Sequence, residues 1–456
     1  MSGEGEQVAQ PTTPRAAAAR TNRIAGPTAT GSAAPLSHPG RPVAAGGAFA
    51  RVRQARSSTT NLLGRWLSHP QASLYLVIVS AGLLITLGVV MVLSSSSVYA
   101  MSNVGDSYYF FKRQLGFALV GLIAAFLVAR ATPEQLRRVS LFAMFAALGL
   151  LILTYTPLGV KVNGNTNWIE FGTSLLRIQP SEFAKVAMIV WGAAVLDTKQ
   201  KVLDQPRHLL FPFLPVWLLV LALVIFRGDM GTTVIMGGIM VAVLFAVGAP
   251  LRILGSMAVF AVVGMAAMTL QSSNRMRRML AFLNPTADVE GANMQATVGV
   301  LALATGGWWG VGLGASRQKW GSLPEAHTDF IFAVIGEELG LIGSLLVLGL
   351  FLLLGYAGLR IALRSDILMC RLMAAGITTW FMFQALVNVA VVLRLLPVLG
   401  VPLPMLSYGG SALLANMIAL GVLCSCARQE PAARALREAA KAAPAPRVTA
   451  VVGSRH

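Results

Sequence analysis

Residues 329–359 read DFIFAVIGEELGLIGSLLVLGLFLLLGYAGL, and this stretch decides the fold. Its second half has no charged residue, and about 20 such residues in a helix span the ~30 Å hydrocarbon core of a bilayer. Several further stretches have a similar length and composition, so the sequence predicts an all-α integral membrane protein of about ten transmembrane helices. The expected spans are residues 73–95, 112–131, 139–157, 181–197, 209–226, 231–249, 251–271, 329–359, 372–393 and 405–427.

The composition supports this fold class and excludes others. Of the 456 residues, 55% are hydrophobic and only 12% are charged, and the mean hydropathy is +0.69. An ordinary soluble domain carries about 25% charged residues, so a soluble enzyme of this length is excluded. The net charge of +18 does not indicate a nucleic-acid partner, because the basic residues lie in the gaps between apolar stretches, where membrane topology places them.

The two ends of the chain differ from the membrane body, residues 71–427. Residues 1–70 and 428–456 are rich in Ala, Pro and Arg and have few aromatic residues. Segments of this composition cannot bury a core. We therefore predict a disordered cytoplasmic tail at each end, with a short helix around residues 432–442.

Residues 296–314 form an eleventh apolar stretch, and the distribution of Lys and Arg decides whether it crosses the membrane. With ten spans and the N terminus inside, 24 of the 36 basic residues lie inside and 12 outside, whereas an eleventh span makes the distribution 18 to 18. Because cytoplasmic loops carry the excess of Lys and Arg, ten spans are favoured. Residues 272–328 then form a long extracytoplasmic segment, in which residues 296–314 either re-enter the membrane or lie at its surface.

Polar residues at membrane depth mark function or a paired structural role, because their burial in lipid is costly. Residues 161–167 are turn-rich, and the helix that follows carries Glu182 and Lys185 on one face. This pair fits either an ion pair at the membrane interface or a functional site. Asp229 lies between two spans that have almost no loop between them, and its structural and functional interpretations are equally open.

The predicted extracytoplasmic segment begins with a cluster of three arginines, Arg275, Arg277 and Arg278, against the positive-inside bias. Guanidinium groups bind phosphate through paired donors. These residues therefore predict either an anionic ligand such as pyrophosphate or ordinary anchoring to lipid headgroups. Asp288 follows in a turn-like context, where a solvated loop carboxylate is the usual interpretation.

Residues 323–340 read LPEAHTDFIFAVIGEELG and contain five ionisable residues. Glu325 favours the positive N-terminal end of a predicted helix, and the other four lie at the outer mouth of a predicted span: His327, Asp329, Glu337 and Glu338. So dense a set is difficult to explain by structure alone and favours a functional site. No Cys or His spacing typical of a metal centre accompanies it. No cofactor is evident from the sequence, and a shared divalent cation is the one cofactor left open.

Several motifs together resemble those of a known family. They are SSSSVYA at 94–100, FKRQL at 111–115, an NG…W pattern at 163–168, QPSEFAK at 179–185, GDMGT at 228–232, LNP…D at 283–288, the 323–340 block and VPLPMLSYGGS at 401–411. In this order they resemble the SEDS (shape, elongation, division and sporulation) family of integral-membrane peptidoglycan glycosyltransferases, most closely its division branch. The chain departs from the family pattern at Asn167, where Arg is frequent, at Gly228, where Pro is usual, and directly after Asp288.

The resemblance implies a substrate, a location and partners. The substrate would be lipid II, a disaccharide-pentapeptide on undecaprenyl pyrophosphate, polymerised into glycan strands for the septal cell wall. The protein would lie in the bacterial plasma membrane, enriched at the division septum, with both termini cytoplasmic. A class B penicillin-binding protein transpeptidase, other divisome proteins and membrane lipids would be its partners.

The resemblance also implies roles for individual residues. The extracytoplasmic Asp that is essential in the family corresponds to Asp288, which would act as general base. The candidate cations for the leaving pyrophosphate are Lys185, Arg275 and Arg278. The residues expected to shape the cavity are Glu182, Asp229, His327 and Asp329.

Two other functions stay open from the sequence. A lipid II flippase would use the same lipid and cavity without forming a bond, and it needs polar residues through the membrane centre. A non-catalytic division scaffold would tolerate the loss of Asp288. The ionisable residues gather at the outer mouth of the predicted bundle, which favours the enzyme.

Overall fold

The computed structural model describes residues 68–442, except positions 163–164, 171, 173–176, 204, 285–292 and 321–322. Most of both predicted tails lies outside the described residues, and so does Asp288. The predicted short helix near the C terminus is α14, Pro431–Ala442.

The described part of the chain is a helical bundle, as the sequence predicts. Within the described ranges, nine helices are long and apolar enough to cross a membrane, with α5 and α6 counted as one span. The helices are α1 (Ala72–Val104), α2 (Tyr109–Arg130), α3 (Pro133–Leu153), α4 (Pro180–Thr198), α5 (Pro206–Leu210), α6 (Phe213–Ile225), α7 (Met230–Val247), α8 (Leu251–Leu270), α9 (Ser273–Leu283), α10 (Met294–Gly306), α11 (Ile331–Arg364), α12 (Leu368–Val392), α13 (Gly410–Arg428) and α14.

Helix α4 corresponds to the remaining predicted span, residues 181–197, and brings the number of predicted spans found as helices to ten. It carries Glu182, Lys185 and Asp197, and it is buried along nearly its whole length. It packs against α3, α6, α7, α12 and α13. Because charged side chains are costly in lipid, the helix that bears three of them is surrounded by the apolar helices.

Local capping signals fix where several helices begin. Thr132 and Gln135 form a capping box at the start of α3, in which each side chain accepts the other residue's backbone N–H. Asp229 accepts the backbone N–H of Thr232 at 3.0 Å and caps α7. The start of α7 therefore also holds a carboxylate in place.

Helix α11 contains the stretch that decides the fold, and it is broken at Gly340. Its 34 residues would extend ~51 Å, more than the hydrocarbon core requires. At Gly340, φ is 69° and ψ is −166°, so the regular hydrogen bonds stop there. Residues 341–342 donate instead to the carbonyls of residues 307–308. Residues 311–312 donate to the carbonyls of residues 337–338. The turn after α10 therefore supplies hydrogen-bond partners to the backbone groups of α11 that the break leaves unpaired.

Helix α10 decides the question of the eleventh apolar stretch. It has only 13 residues, about 20 Å, which is too short to cross the hydrocarbon core. It packs against the first part of α11 so closely that a Cβ at Gly306 would lie 1.9 Å from the carbonyl oxygen of Gly336. The chain then turns back beside α11. The exclusion of an eleventh span is confirmed.

A small antiparallel sheet between α3 and α4 is an addition to the predicted helical fold. Its strands, in the order β1-β2-β3, are β1 (Gly159–Val162), β2 (Asn165–Glu170) and β3 (Arg177–Ile178). The sequence predicted only turns here, because the short polar strands have no clear alternation of apolar residues. Arg177 Nη2 on β3 lies 2.6 Å from Glu170 Oε2 on β2, and this cross-strand ion pair joins the two strands.

Five connections meet at one end of the bundle. They join α1 to α2, α3 to α4, α6 to α7, α8 to α11 and α12 to α13, and each leads to residues that line one cavity. Ten spans require this alternation, because every second connection must lie on the same side of the membrane. The side of the membrane to which this end belongs stays a prediction.

We expect the cavity end of the bundle to face the cell exterior. Ser102, near the end of α1, and Gln200, just after α4, are both exposed and lie at opposite ends of the bundle. The three native cysteines are buried. In intact cells, a membrane-impermeant maleimide should label Ser102→Cys and should reach Gln200→Cys only after permeabilisation. The reverse pattern would contradict the topology that the basic residues predict.

Candidate active site

A cavity of about 1780 Å³ lies where the five connections meet. This volume exceeds the ~300–1,000 Å³ of a typical small-molecule pocket, so the cavity can hold a large ligand. Among the described residues, six cations and three carboxylates contribute to its lining. They are Arg113, Lys161, Arg177, Arg227, Arg275, Arg278, Asp229, Glu325 and Asp329.

Asp229 is held by hydrogen bonds from three elements. Its Oδ2 accepts from Asn167 Nδ2 at 2.9 Å and from Gln179 Nε2 at 3.1 Å, and its Oδ1 caps α7. Asn167 and Gly228 are two positions where the sequence departs from the resembled family, and both lie at this carboxylate. The φ of 93° at Gly228 excludes proline, whose ring fixes φ near −65°.

Glu182 and Lys185 form a buried ion pair behind the cavity. The Lys185 ammonium lies 2.8 Å from Glu182 Oε1. The Lys185 side chain is only 1% exposed and the Glu182 side chain only 2%. Lys185 also donates to Gln384 Oε1 at 3.0 Å and lies 4.5 Å from the centre of the Trp380 ring. Neither residue of the pair lines the cavity. They follow Gln179, which does line it, at three-residue intervals along one face of α4.

Three rings form one part of the cavity surface, which we call the ring wall: Phe110, His327 and Tyr408. The ring centroids of Phe110 and His327 are 4.9 Å apart, those of Phe110 and Tyr408 4.9 Å, and those of His327 and Tyr408 5.7 Å. These separations are typical of packed aromatic pairs. Tyr99 packs on His327 at 5.4 Å but does not line the cavity.

The ring wall is fixed by bonds between two distant segments of the chain. Tyr408 donates its backbone N–H to the carbonyl of His327 at 2.8 Å, and Ser407 Oγ donates to the carbonyl of Thr328 at 2.6 Å. Asn388 Nδ2 donates to the carbonyl of Asp329 at 2.7 Å. The 323–340 and 401–411 motifs therefore form one rigid unit at the cavity.

The cavity arginines differ in how fully they are engaged. Arg177 pairs with Glu170, and Arg227 bonds the Thr154 carbonyl and lies over a tyrosine ring. Arg275 and Arg278, both on α9, each donate to a backbone carbonyl, and neither forms an ion pair within the described part of the chain. The two α9 guanidinium groups are therefore suited to bind an anionic ligand.

Burial changes the protonation of two groups that precede α11. It raises the pKa of the Asp329 carboxyl to about 7, and the nearby Glu325 carboxylate adds to this shift. Burial also lowers the pKa of His327, although Glu325 acts in the opposite direction. At neutral pH the imidazole is therefore uncharged, and Asp329 is partly protonated.

Glu337 and Glu338 have structural partners, which the sequence did not indicate. Ser316 Oγ and the backbone N–H of Arg317 donate to the Glu337 carboxylate. Glu338 pairs with Lys319 at 3.0 Å and accepts from Ser94 Oγ, with both charged side chains almost fully buried. These bonds fasten the segment after α10 to α11 at the Gly340 break. Of the four residues that favoured a functional site, only His327 and Asp329 therefore keep that interpretation.

The structure brings together most of the predicted site residues that it describes. Those that line the cavity are Arg275, Arg278, Asp229, His327 and Asp329, and Arg277 is absent from the lining. Sequence reasoning missed Arg113, Arg177, Glu325 and Tyr408. Arg113 and Tyr408 lie in motifs that were recognised, and their position near the start of an apolar span was the available signal.

The described residues contain no preformed cluster of metal-ligating side chains. Within the described ranges, no group of three or more His, Cys, Asp or Glu side chains is placed to hold a metal ion. The cations that the described lining itself supplies to a phosphate are arginine and lysine side chains.

The fold and the cavity define a multi-pass membrane protein with a charged site at one end of its bundle, and comparison with known proteins identifies its family. The model of the FtsW/RodA/SpoVE cell cycle proteins matches residues 74–432. The chain belongs to this family, so the predicted membership is confirmed.

Three similar proteins illustrate the relationship. The "Probable peptidoglycan glycosyltransferase FtsW" of Mycobacterium tuberculosis is 39% identical over 379 residues, which cover 83% of this chain and 72% of that protein. The protein of the same description from Trichlorobacter lovleyi is 41% identical over 344 residues, 75% and 89% of the two chains. A solved structure described as "Structural coordination of polymerization and crosslinking by a peptidoglycan synthase complex" has a TM-score of 0.64 and 27% identity, covering 78% of this chain and 97% of that one.

The buried ion pair predicts a clear stability pattern. Lys185→Met leaves the Glu182 carboxylate buried without its cation, which should cost about 3–5 kcal/mol in unfolding free energy. The double variant Lys185→Met with Glu182→Gln should recover a large part of this loss, because no unpaired charge remains. Thermal unfolding of the purified protein measures both.

Arg138 is the matched control, since its i,i+4 pair with Glu134 is exposed at both ends. Arg138→Met should change stability little. A double variant as unstable as Lys185→Met would show that the loss comes from missing packing and not from the unpaired charge.

Proposed function

We propose that the protein is a peptidoglycan glycosyltransferase that polymerises lipid II into glycan strands for the septal cell wall. The observation that carries the proposal is the single-ended cavity, lined by cations and carboxylates, in a chain of the FtsW/RodA/SpoVE family. The relatives from Mycobacterium tuberculosis and Trichlorobacter lovleyi, which bear the name peptidoglycan glycosyltransferase, support it.

Asp288 is the proposed general base, and the described residues on either side of its segment support this role. Asn293 Nδ2 donates to the carbonyl of Asn284 at 3.2 Å, so the chain leaves and rejoins the described structure at one place. Asp288 is four residues from Asn284, and a fully extended chain of that length covers only ~14 Å. Arg278 and Gln295, on the two flanking helices, both line the cavity.

The chemistry needs one base and several cations. Asp288 would take the proton from the 4-hydroxyl of one sugar unit, whose oxygen then bonds to C1 of the growing chain. The bond from C1 to the pyrophosphate oxygen breaks, and undecaprenyl pyrophosphate leaves with the bonding electron pair. Pyrophosphate is a good leaving group once its charge is neutralised, so no second carboxylate is needed as an acid.

Arg275 and Arg278 are the proposed cations for the pyrophosphate, because both line the cavity without an ion-pair partner among the described residues. Lys185 would act less directly, through the buried pair with Glu182 behind the cavity. Asp229, His327 and Asp329 would shape the site and orient the sugars.

A specific observation argues against the alternative of a lipid II flippase. The polar series on α4 runs from Gln179 through Glu182 to Lys185, and residues 186–196 that follow are apolar or small. A flippase needs polar contacts through the membrane centre, whereas this helix supplies them at one end only. A non-catalytic scaffold is distinguished by the test of Asp288 below.

The proposed setting is the division septum, with the cavity outside the cell. A class B penicillin-binding protein is the proposed partner, since the similar solved structure is of a complex that polymerises and crosslinks. Other divisome proteins and membrane lipids complete the proposed surroundings.

The central experiment combines the purified protein with lipid II, with and without its transpeptidase partner. Glycan strands should form with the partner and form weakly or not at all without it. Equal polymerisation in both reactions would contradict the partner requirement, and no strands in either would contradict the polymerase.

Asp288→Asn should lower polymerisation by at least ~10²-fold, because the amide cannot accept a proton. Glu290→Gln is the control, since it removes a carboxylate two residues away. The rates are measured on the pair of proteins with lipid II, and partner binding is measured in parallel. If Asp288→Asn is near wild type while Glu290→Gln is inactive, the general base is the other carboxylate. If both are fully active, the single-base mechanism fails for this segment.

A further inference from the structure

The ring wall is a part of the cavity that the proposed proton transfer does not use. Phe110, His327 and Tyr408 present three packed rings to the cavity beside its charged groups. The segments that carry His327 and Tyr408 are bonded to each other through the Tyr408 N–H and the His327 carbonyl, and Phe110 lies on α2. A rigid ring surface in a cavity lined by charged groups suits a ligand that has both an apolar and a charged part.

His327 has unused hydrogen-bonding capacity in this wall. Within the described part of the chain, no group bonds to its imidazole nitrogens. A neutral imidazole offers one donor and one acceptor. Since burial lowers the pKa of His327, the ring is in this neutral form at neutral pH. It can therefore bond both to a hydroxyl and to an amide of a ligand.

A pyranose ring matches this surface. Its C–H faces are apolar and pack against aromatic rings, while hydroxyl and N-acetyl groups at its edge need hydrogen bonds. Large ligand sites commonly combine an apolar wall with a few placed polar groups that fix the orientation. The ring wall and its imidazole supply this combination.

A cation lies at the right place beside the wall. Phe110 and Arg113 are three residues apart on α2, share a helix face and both line the cavity. In a lipid-linked sugar, C1 of the pyranose is joined to the pyrophosphate through one oxygen. A sugar on the ring wall would therefore place a phosphate near a guanidinium group.

We infer that the ring wall of Phe110, His327 and Tyr408 is a saccharide-binding subsite that takes a pyranose ring of the lipid-linked disaccharide. This inference rests on the proposed function for the identity of the lipid. It assigns sugar recognition to these rings, and binding of the pyrophosphate to Arg113 beside the wall together with the arginines of α9.

The test measures binding of three lipids to the full-length protein without its partner. The lipids are lipid II, the same lipid without its pentapeptide, and undecaprenyl pyrophosphate. Phe110→Leu and His327→Leu should each weaken binding of both disaccharide lipids about tenfold and leave undecaprenyl pyrophosphate within about twofold. His327→Phe keeps a ring without the nitrogens and should fall between wild type and His327→Leu.

Two matched variants act as controls. Tyr99→Leu removes a ring that packs on His327 outside the cavity, and it should change binding of each lipid by less than about twofold. Arg278→Gln should weaken all three lipids alike, because each carries the pyrophosphate.

Several results would overturn the subsite. They are an equal loss for undecaprenyl pyrophosphate in the ring variants, a loss that appears only when the pentapeptide is present, an equal effect of Tyr99→Leu, and no loss at all. The proposed function fails separately, if the wild-type protein binds the disaccharide lipids selectively but forms no glycan strands with its partner.

Discussion

The buried ammonium of Lys185 is the constraint on which the rest of the structure depends. A charge at membrane depth is tolerated only with partners, and this one has the Glu182 carboxylate, the Gln384 amide and the Trp380 ring. Helix α4 must therefore lie inside the bundle, and the more apolar helices must surround it. Because the same face of α4 begins with Gln179 at the cavity, burial of the pair also fixes the position of Asp229, to which Gln179 donates.

The elements around the cavity are held to one another by polar contacts. The Gly340 break in α11 exchanges backbone hydrogen bonds with the turn after α10, and Glu337 and Glu338 fasten the following segment. This segment leads directly to His327 and Asp329. His327 and Thr328 in turn accept hydrogen bonds from Tyr408 and Ser407, which lie just before α13. Rigid walls of this kind hold charged groups at fixed positions before a ligand arrives, which lowers the cost of binding.

Different structural elements contribute different chemical groups to the cavity. The α9 arginines offer charge for an anion, the ring wall offers packing for a partly apolar ligand, and Asp229 is held in one orientation by three donors. The Asp329 carboxyl, with a pKa of about 7, shares the cavity with Glu325 and Asp229. A large substrate with a charged and a sugar-like part suits this arrangement better than a small metabolite does.

The sequence by itself determined the membrane class, the ten-helix order and the exclusion of an eleventh span, because length, apolar composition and the distribution of basic residues are local properties of the chain. It also indicated the segments that form the site, through polar residues next to apolar spans. Only the tertiary structure decided that Glu182 and Lys185 lie behind the cavity, that Glu337 and Glu338 fasten a loop, and that Arg113 and Tyr408 belong to the lining. These outcomes depend on which helix faces meet, and that is set by packing between segments up to 300 residues apart, such as Gln114 and Ser407 at a separation of 293.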